Sequence, residues 1–213
     1  MLLNSKNIVV AGKAVSEAKR ALVMIHGRGA DASDILSLSE YLDVKDFALL
    51  APEAEGNTWY PYSFLAPQKQ NEPGLSSALE ILKNIIRDLS ESGIQHEAVY
   101  LLGFSQGACL ALEFAARNAK KYGGIIAFTG GLLGEKIHVE NYQGDFMKTP
   151  VFIGTSDPDP HVPLERVNST SEVFRKMNAE VTLKVYKNMG HTISQDEINS
   201  ANSLIFSPES PPL

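Results

Sequence analysis

Short, wholly apolar runs alternate with amphipathic stretches along most of this chain. Ala21-Leu22-Val23-Met24-Ile25, Phe47-Ala48-Leu49-Leu50, Ala98 to Leu102, Gly124 to Phe128 and Val151-Phe152-Ile153 each read as a strand, and Val181 to Tyr186, interrupted by Thr182 and Lys184, as the last strand. Runs that are apolar at every position, not at alternate ones, predict strands covered on both faces. Between them lie helical patterns. Ser33 to Leu42 offers Ile35, Leu36, Leu38 and Leu42 to an inner face, and Glu72 to Ser92 carries Leu75, Leu79, Leu82, Ile86 and Leu89 at helical spacing before Gly93. Helices are also predicted after residue 107, near Leu164 to Met177, and from Ser194 to Phe206. Ile8-Val9-Val10 and Ala14-Val15 read as an opening hairpin around Gly12. The alternation predicts an α/β fold: a mainly parallel central sheet with helices on both faces. No internal repeat or linker divides the 213 residues, so 1–206 is expected to be one domain and 207–213, rich in proline, a flexible tail.

Composition narrows the partners. Hydrophobic residues make up 44% and charged residues 21%, as in a globular chain. A net charge of −6 argues against nucleic acid and anionic membranes, and suits a neutral or weakly charged substrate. No apolar stretch is long enough for a transmembrane segment, and the first residues lack a secretory core, so a cytoplasmic location is expected. The single cysteine, Cys109, has no partner for an internal disulfide and falls in a predicted helix, where packing is its expected role. Cys, His and carboxylates nowhere take metal-ligand spacing, and Gly27-x-Gly29 lacks the rest of a dinucleotide fingerprint, so no metal and no cofactor are expected.

Strand ends on such a sheet gather the reactive groups. Gly103-Phe104-Ser105-Gln106-Gly107 joins a strand to a helix, the setting a nucleophile elbow requires. Its glycines permit the tight turn, and the following helix aims its N-terminus at the serine. Three other strand ends carry His26-Gly27-Arg28-Gly29, Asp157-Pro158-Asp159-Pro160-His161-Val162-Pro163 and Gly190-His191. A serine hydroxyl needs an imidazole to take its proton, and the imidazole needs a carboxylate to hold its tautomer. The oxyanion needs two backbone donors, expected at the amides of Arg28 and Gln106. For His26 a structural hydrogen bond is the expected role. His161 either lines the site or faces solvent, and His96 and His138 read as loop residues.

These four motifs, in this order over roughly residues 20 to 206, resemble the phospholipase/carboxylesterase group of α/β-hydrolases, which includes acyl-protein thioesterases. The resemblance implies an α/β-hydrolase fold with no large cap domain, and a hydrolase of carboxylic esters or thioesters of small to medium acyl groups. It makes Ser105 the nucleophile, His191 the base and Asp159 the acid. The acid loop departs from the family pattern. Gly154-Thr155-Ser156-Asp157 fits when read forward, and Asp159-Pro160-His161-Val162-Pro163 when read backward, a longer match that favours Asp159 over Asp157. The aromatic stretch Thr58 to Leu65 leaves the functional edge, so Trp59, Tyr60 and Phe64 are expected to form an apolar substrate wall, with Leu132 and Leu133 opposite. A homodimer is compatible with this reading. Two other readings remain: a dienelactone-hydrolase-like enzyme, whose nucleophile would be cysteine, and a non-catalytic binding protein on the same scaffold.

Overall fold

Residues 7–207 are described by a computed structural model. The six residues before them and the segment 208–213, which holds most of the expected tail, lie outside the described residues. Seven strands form one sheet: β1 Ile8–Gly12, β2 Arg20–Ile25, β3 Phe47–Pro52, β4 Val99–Phe104, β5 Gly124–Phe128, β6 Pro150–Asp157 and β7 Glu180–Lys187, in the spatial order β1-β3-β2-β4-β5-β6-β7. Every pairing is parallel except β1 with β3. The helices are α1 Ala32–Leu36, α2 Gly74–Glu91, α3 Gln106–Arg117, α4 Leu164–Lys176 and α5 Gln195–Ala201, the last continuing as a π-helical turn over Asn202–Phe206.

Burial explains the unbroken apolar strands. Val23, Ile25, Leu101, Ile125 and Ile153 pack in one cluster with α2, α3 and α4. Their neighbours Leu22, Met24, Leu102, Ile126 and Phe152 pack in a second cluster with α1, α5 and the π turn. Alternate side chains of each strand therefore feed opposite cores, and neither face tolerates a polar stripe. Leu75, Leu82, Ile86 and Leu89 of α2 are buried as their spacing predicts, while Leu79 is partly buried.

Two expectations are corrected. Ile8–Gly12 does not pair with Ala14-Val15. It runs antiparallel to β3, with Ile8 opposite Pro52, and residues 15–17 form a turn. The helix expected over 33–42 stops at Leu36 and tightens into a 3₁₀ turn over Ser37–Glu40. Strand β6 also extends four residues beyond Ile153, because Thr155 and Ser156, though polar, are buried beside β7.

Candidate active site

The carboxyl ends of β2, β4, β6 and β7 converge. Ser105 follows β4 and caps α3, with φ 54° and ψ −117°, a conformation that costs an L-residue energy and that packing must hold. The flanking glycines account for how this is possible. A Cβ on Gly103 would meet the backbone of Gly107 and Ala108, and one on Gly107 would meet the carbonyls of Ile25 and His26. The elbow is thus pressed against the end of β2, which carries the His26-Gly27-Arg28 turn.

Ser105 Oγ lies 2.8 Å from His191 Nε2, and His191 Nδ1 lies 2.9 Å from Asp159 Oδ2. Asp159 Oδ1 accepts from the amides of His161 at 2.8 Å and Val162 at 2.9 Å. Burial works against ionisation of this carboxyl, but the His161 amide, His191 and the Val162 amide outweigh it, and the pKa lies below the ordinary carboxylate value. A carboxylate at Oδ2 accepts only, so Nδ1 of His191 carries the proton and Nε2 is free to accept from the serine hydroxyl. Asp157 is the last residue of β6, exposed and paired in register with Lys187. Of the two candidate acids, Asp159 is the one that faces His191.

Other groups support this series, and one of them, Ser156, has no role that the sequence reveals. Ser156 Oγ donates to the Pro158 carbonyl at 3.1 Å and accepts from the Gly190 amide at 3.0 Å, tying the Asp159 loop to the His191 loop. The His191 ring lies between Phe104 and His161, with centroids 5.2 and 4.8 Å away. His161 is both exposed and part of the cleft lining. His26 is fully buried: Nδ1 bonds the Gly27 carbonyl at 2.7 Å, and Nε2 accepts from the Ala54 amide at 3.1 Å. Both ring nitrogens are occupied in a structural role. His96 and His138 lie away from the cleft, beside Lys120 and Glu140.

The amide of Gln106 opens α3, where the first N–H groups have no helical partner. Among the described residues no hydrogen bond engages the Arg28 amide. The side chains of these two residues hold the aromatic loop. Gln106 Oε1 accepts from the Trp59 amide at 3.0 Å, and its Nε2 donates to the Tyr60 carbonyl at 2.9 Å. Arg28 donates to the carbonyls of Tyr60 at 2.8 Å, Pro61 at 3.1 Å and Tyr62 at 2.8 Å. The far end of the loop is fixed by buried Asn71, which accepts from the Tyr62 amide and donates to the Ser63 carbonyl.

An open cleft of about 390 Å³ lies over Ser105 and His191. Tyr60 and Phe64 line it, with Val162 and Cys109. Trp59 and Leu132 do not, a correction to the expected wall. The Trp59 indole N–H is drawn inward to the His26 carbonyl at 2.9 Å, with the ring against the His26 imidazole. Leu132 and Leu133 are fully buried. Their amides donate to Thr170 Oγ1 and to Glu113 Oε2, a buried carboxylate on α3 that also takes Tyr142 Oη and Arg117 Nε. Among the described residues no group of three or more His, Cys, Asp or Glu side chains could hold a metal, and no helix is long and apolar enough to cross a membrane.

The phospholipase/carboxylesterase family model matches residues 5–206. Acyl-protein thioesterase 1 of Saccharomyces cerevisiae is 30% identical over 92% of this chain and 95% of its own length. The crystal structure of a phospholipase/carboxylesterase from Dyadobacter fermentans superposes with a TM-score of 0.94 at 51% identity, covering 95% of this chain and 97% of that one. A structure of esterase PE8 gives a TM-score of 0.77 at 26% identity over 92% of this chain and 95% of its own. The family match spans nearly the whole of the sheet and the site, and the chain belongs to the phospholipase/carboxylesterase family of α/β-hydrolases.

Proposed function

We propose that this chain hydrolyses carboxylic esters or thioesters through an acyl-enzyme on Ser105, with His191 as general base and acid and Asp159 as its orienting carboxylate. The observation that carries the reading is the hydrogen-bonded series Asp159–His191–Ser105, at 2.9 and 2.8 Å, under an open cleft. The relatives named acyl-protein thioesterase and esterase are in keeping with it.

In the first half-reaction Ser105 Oγ attacks the acyl carbon as its proton passes to His191 Nε2. The carbonyl oxygen becomes an oxyanion facing the amides of Arg28 and Gln106. Each such donor is worth on the order of a hundredfold in rate, since preorganised dipoles need no reorientation as charge develops. The tetrahedral species collapses when His191 Nε2 returns the proton to the leaving oxygen or sulfur. Water then attacks the acyl-enzyme by the same route, with His191 taking one proton from it and giving it to Ser105 Oγ. Asp159, held ionised by three donors, stabilises the imidazolium in both halves. The side chains of Tyr60 and Phe64 supply the apolar wall for the acyl or alcohol portion. A non-catalytic binding role would not require Ser105 to hold its strained backbone beside an oriented imidazole. Turnover of para-nitrophenyl esters and acyl thioesters, abolished by Ser105→Ala, tests the reading.

A further inference from the structure

The charge around this cleft runs opposite to that of the whole chain. Twenty-five Asp and Glu outnumber 19 Lys and Arg. Yet the ionisable groups lining the cleft beside the serine are Arg28, His161 and His191, with the neutral Tyr60 and Cys109 and the phenol of Tyr62, and no Asp or Glu contributes to it. The one carboxylate that touches the site, Asp159, has no exposed side-chain surface and is turned toward His191 Nδ1. Arg28 is exposed, and among the described residues it forms no ion pair. Three of the five guanidinium N–H groups go to the loop carbonyls of Tyr60, Pro61 and Tyr62. Neutral acceptors fix the head group without cancelling its charge, and two donors, Nε–H and one on Nη1, stay available. A guanidinium already immobilised loses little side-chain freedom on meeting an anion.

We propose that the substrate carries its own carboxylate, recognised by the Arg28 guanidinium at the mouth of the cleft. A single positive charge matches one carboxylate better than a dianionic phosphate, and because Nε–H and the remaining Nη1–H lie on different edges of the guanidinium plane, the carboxylate takes a single charge-assisted hydrogen bond, not a fork. This rests on the hydrolase reading above and adds a substrate class to it. Because the Arg28 amide is the proposed oxyanion donor, its side chain lies within one residue of the reacting carbonyl, so the anionic group and the scissile bond belong to one small molecule.

Matched pairs of substrates test this. Mono-para-nitrophenyl glutarate against para-nitrophenyl valerate places the charge on the acyl part, and para-acetoxybenzoate against para-acetoxybenzamide places it on the leaving group. We expect the charged member of at least one pair to be preferred about tenfold in kcat/KM at low ionic strength, with the preference shrinking as salt is added. The preferring pair identifies which end faces Arg28. Arg28→Gln should lower turnover of both members by loosening the loop, but bring their ratio to about one, and Arg28→Lys should restore part of it. A ratio of one or less in both pairs for the unaltered protein, or an unchanged ratio in Arg28→Gln, overturns the proposal. Equal turnover of neutral and charged esters contradicts only the carboxylate preference, whereas no turnover of any ester contradicts the hydrolase reading itself.

Discussion

The carbonyl oxygen of Tyr60 lies 2.8 Å from the Arg28 guanidinium, and the same oxygen takes Gln106 Nε2 at 2.9 Å and Thr58 Oγ1 at 3.0 Å. The two residues whose amides are proposed to hold the oxyanion therefore also hold, by their side chains, the loop that forms the cleft wall. Gln106→Ala keeps the backbone N–H but removes the side-chain bonds to Thr58, Trp59 and Tyr60 of the loop and leaves the buried Trp59 amide without its acceptor. An unsatisfied buried donor costs about 1–3 kcal/mol. We expect a fall in melting temperature together with at least a tenfold loss in kcat/KM, measured by thermal unfolding and ester turnover. Unchanged turnover would separate the loop from the oxyanion hole.

The two aspartates of the acid loop are expected to differ sharply. Asp159→Asn puts an amide beside His191 Nδ1 that can impose the wrong tautomer, a change worth on the order of 10⁴-fold in turnover in serine-protease triads. Asp157 ends β6 in solvent, so Asp157→Asn should change turnover less than about threefold, within the ordinary range of surface substitutions. Steady-state kinetics of the two folded variants makes the comparison, and the reverse ranking would move the acid role to Asp157.

Much of this was legible in the chain. The buried strands announce themselves as unbroken apolar runs because each one feeds both cores, and Gly103 to Gly107 reads as an elbow because only glycine fits against β2. What local pattern could not supply was long-range. Nothing near Gly12 says that Ile8–Gly12 pairs with a strand almost forty residues on, so a hairpin was the local reading. Trp59 looks like substrate wall until the His26 carbonyl is seen to claim its indole N–H. Ser156 has no role of its own in the Gly154 to Asp157 match, and its place between the acid and base loops exists only once β6 and β7 are side by side. Asp159 faces His191 while Asp157 still belongs to β6, because buried Thr155 and Ser156 carry that strand further than their polarity suggests.

Acid should act on stability through Asp159. Asp159 is lowered in the folded state relative to the unfolded chain, so its contribution to stability is present above the ordinary carboxylate range and is lost as pH falls through its folded value. Denaturant unfolding of the unaltered protein and Asp159→Asn should therefore differ most near neutrality and converge in strong acid. A difference independent of pH would remove Asp159 from the charged state assigned to it.

Cys109 lines the cleft four residues after Ser105, yet burial pushes its thiol up to about 12, against smaller opposing effects of the Gly131 amide and Tyr60. A thiol held neutral is a poor nucleophile. Iodoacetamide at neutral pH should leave activity intact over a time in which a fluorophosphonate abolishes it. Rapid inactivation by iodoacetamide would favour a cysteine-based chemistry.

Intact-mass and peptide analysis after reaction with a fluorophosphonate shows directly whether Ser105 is the nucleophile. Ser105 donates its proton to an imidazole 2.8 Å away at the end of an oriented series, so it alone should react fast. One phosphonyl adduct per chain is expected, on Ser105, with loss of activity in proportion, and no adduct in Ser105→Ala or, at the same exposure, in His191→Asn. Modification at another serine, or full ester turnover by Ser105→Ala, would contradict it.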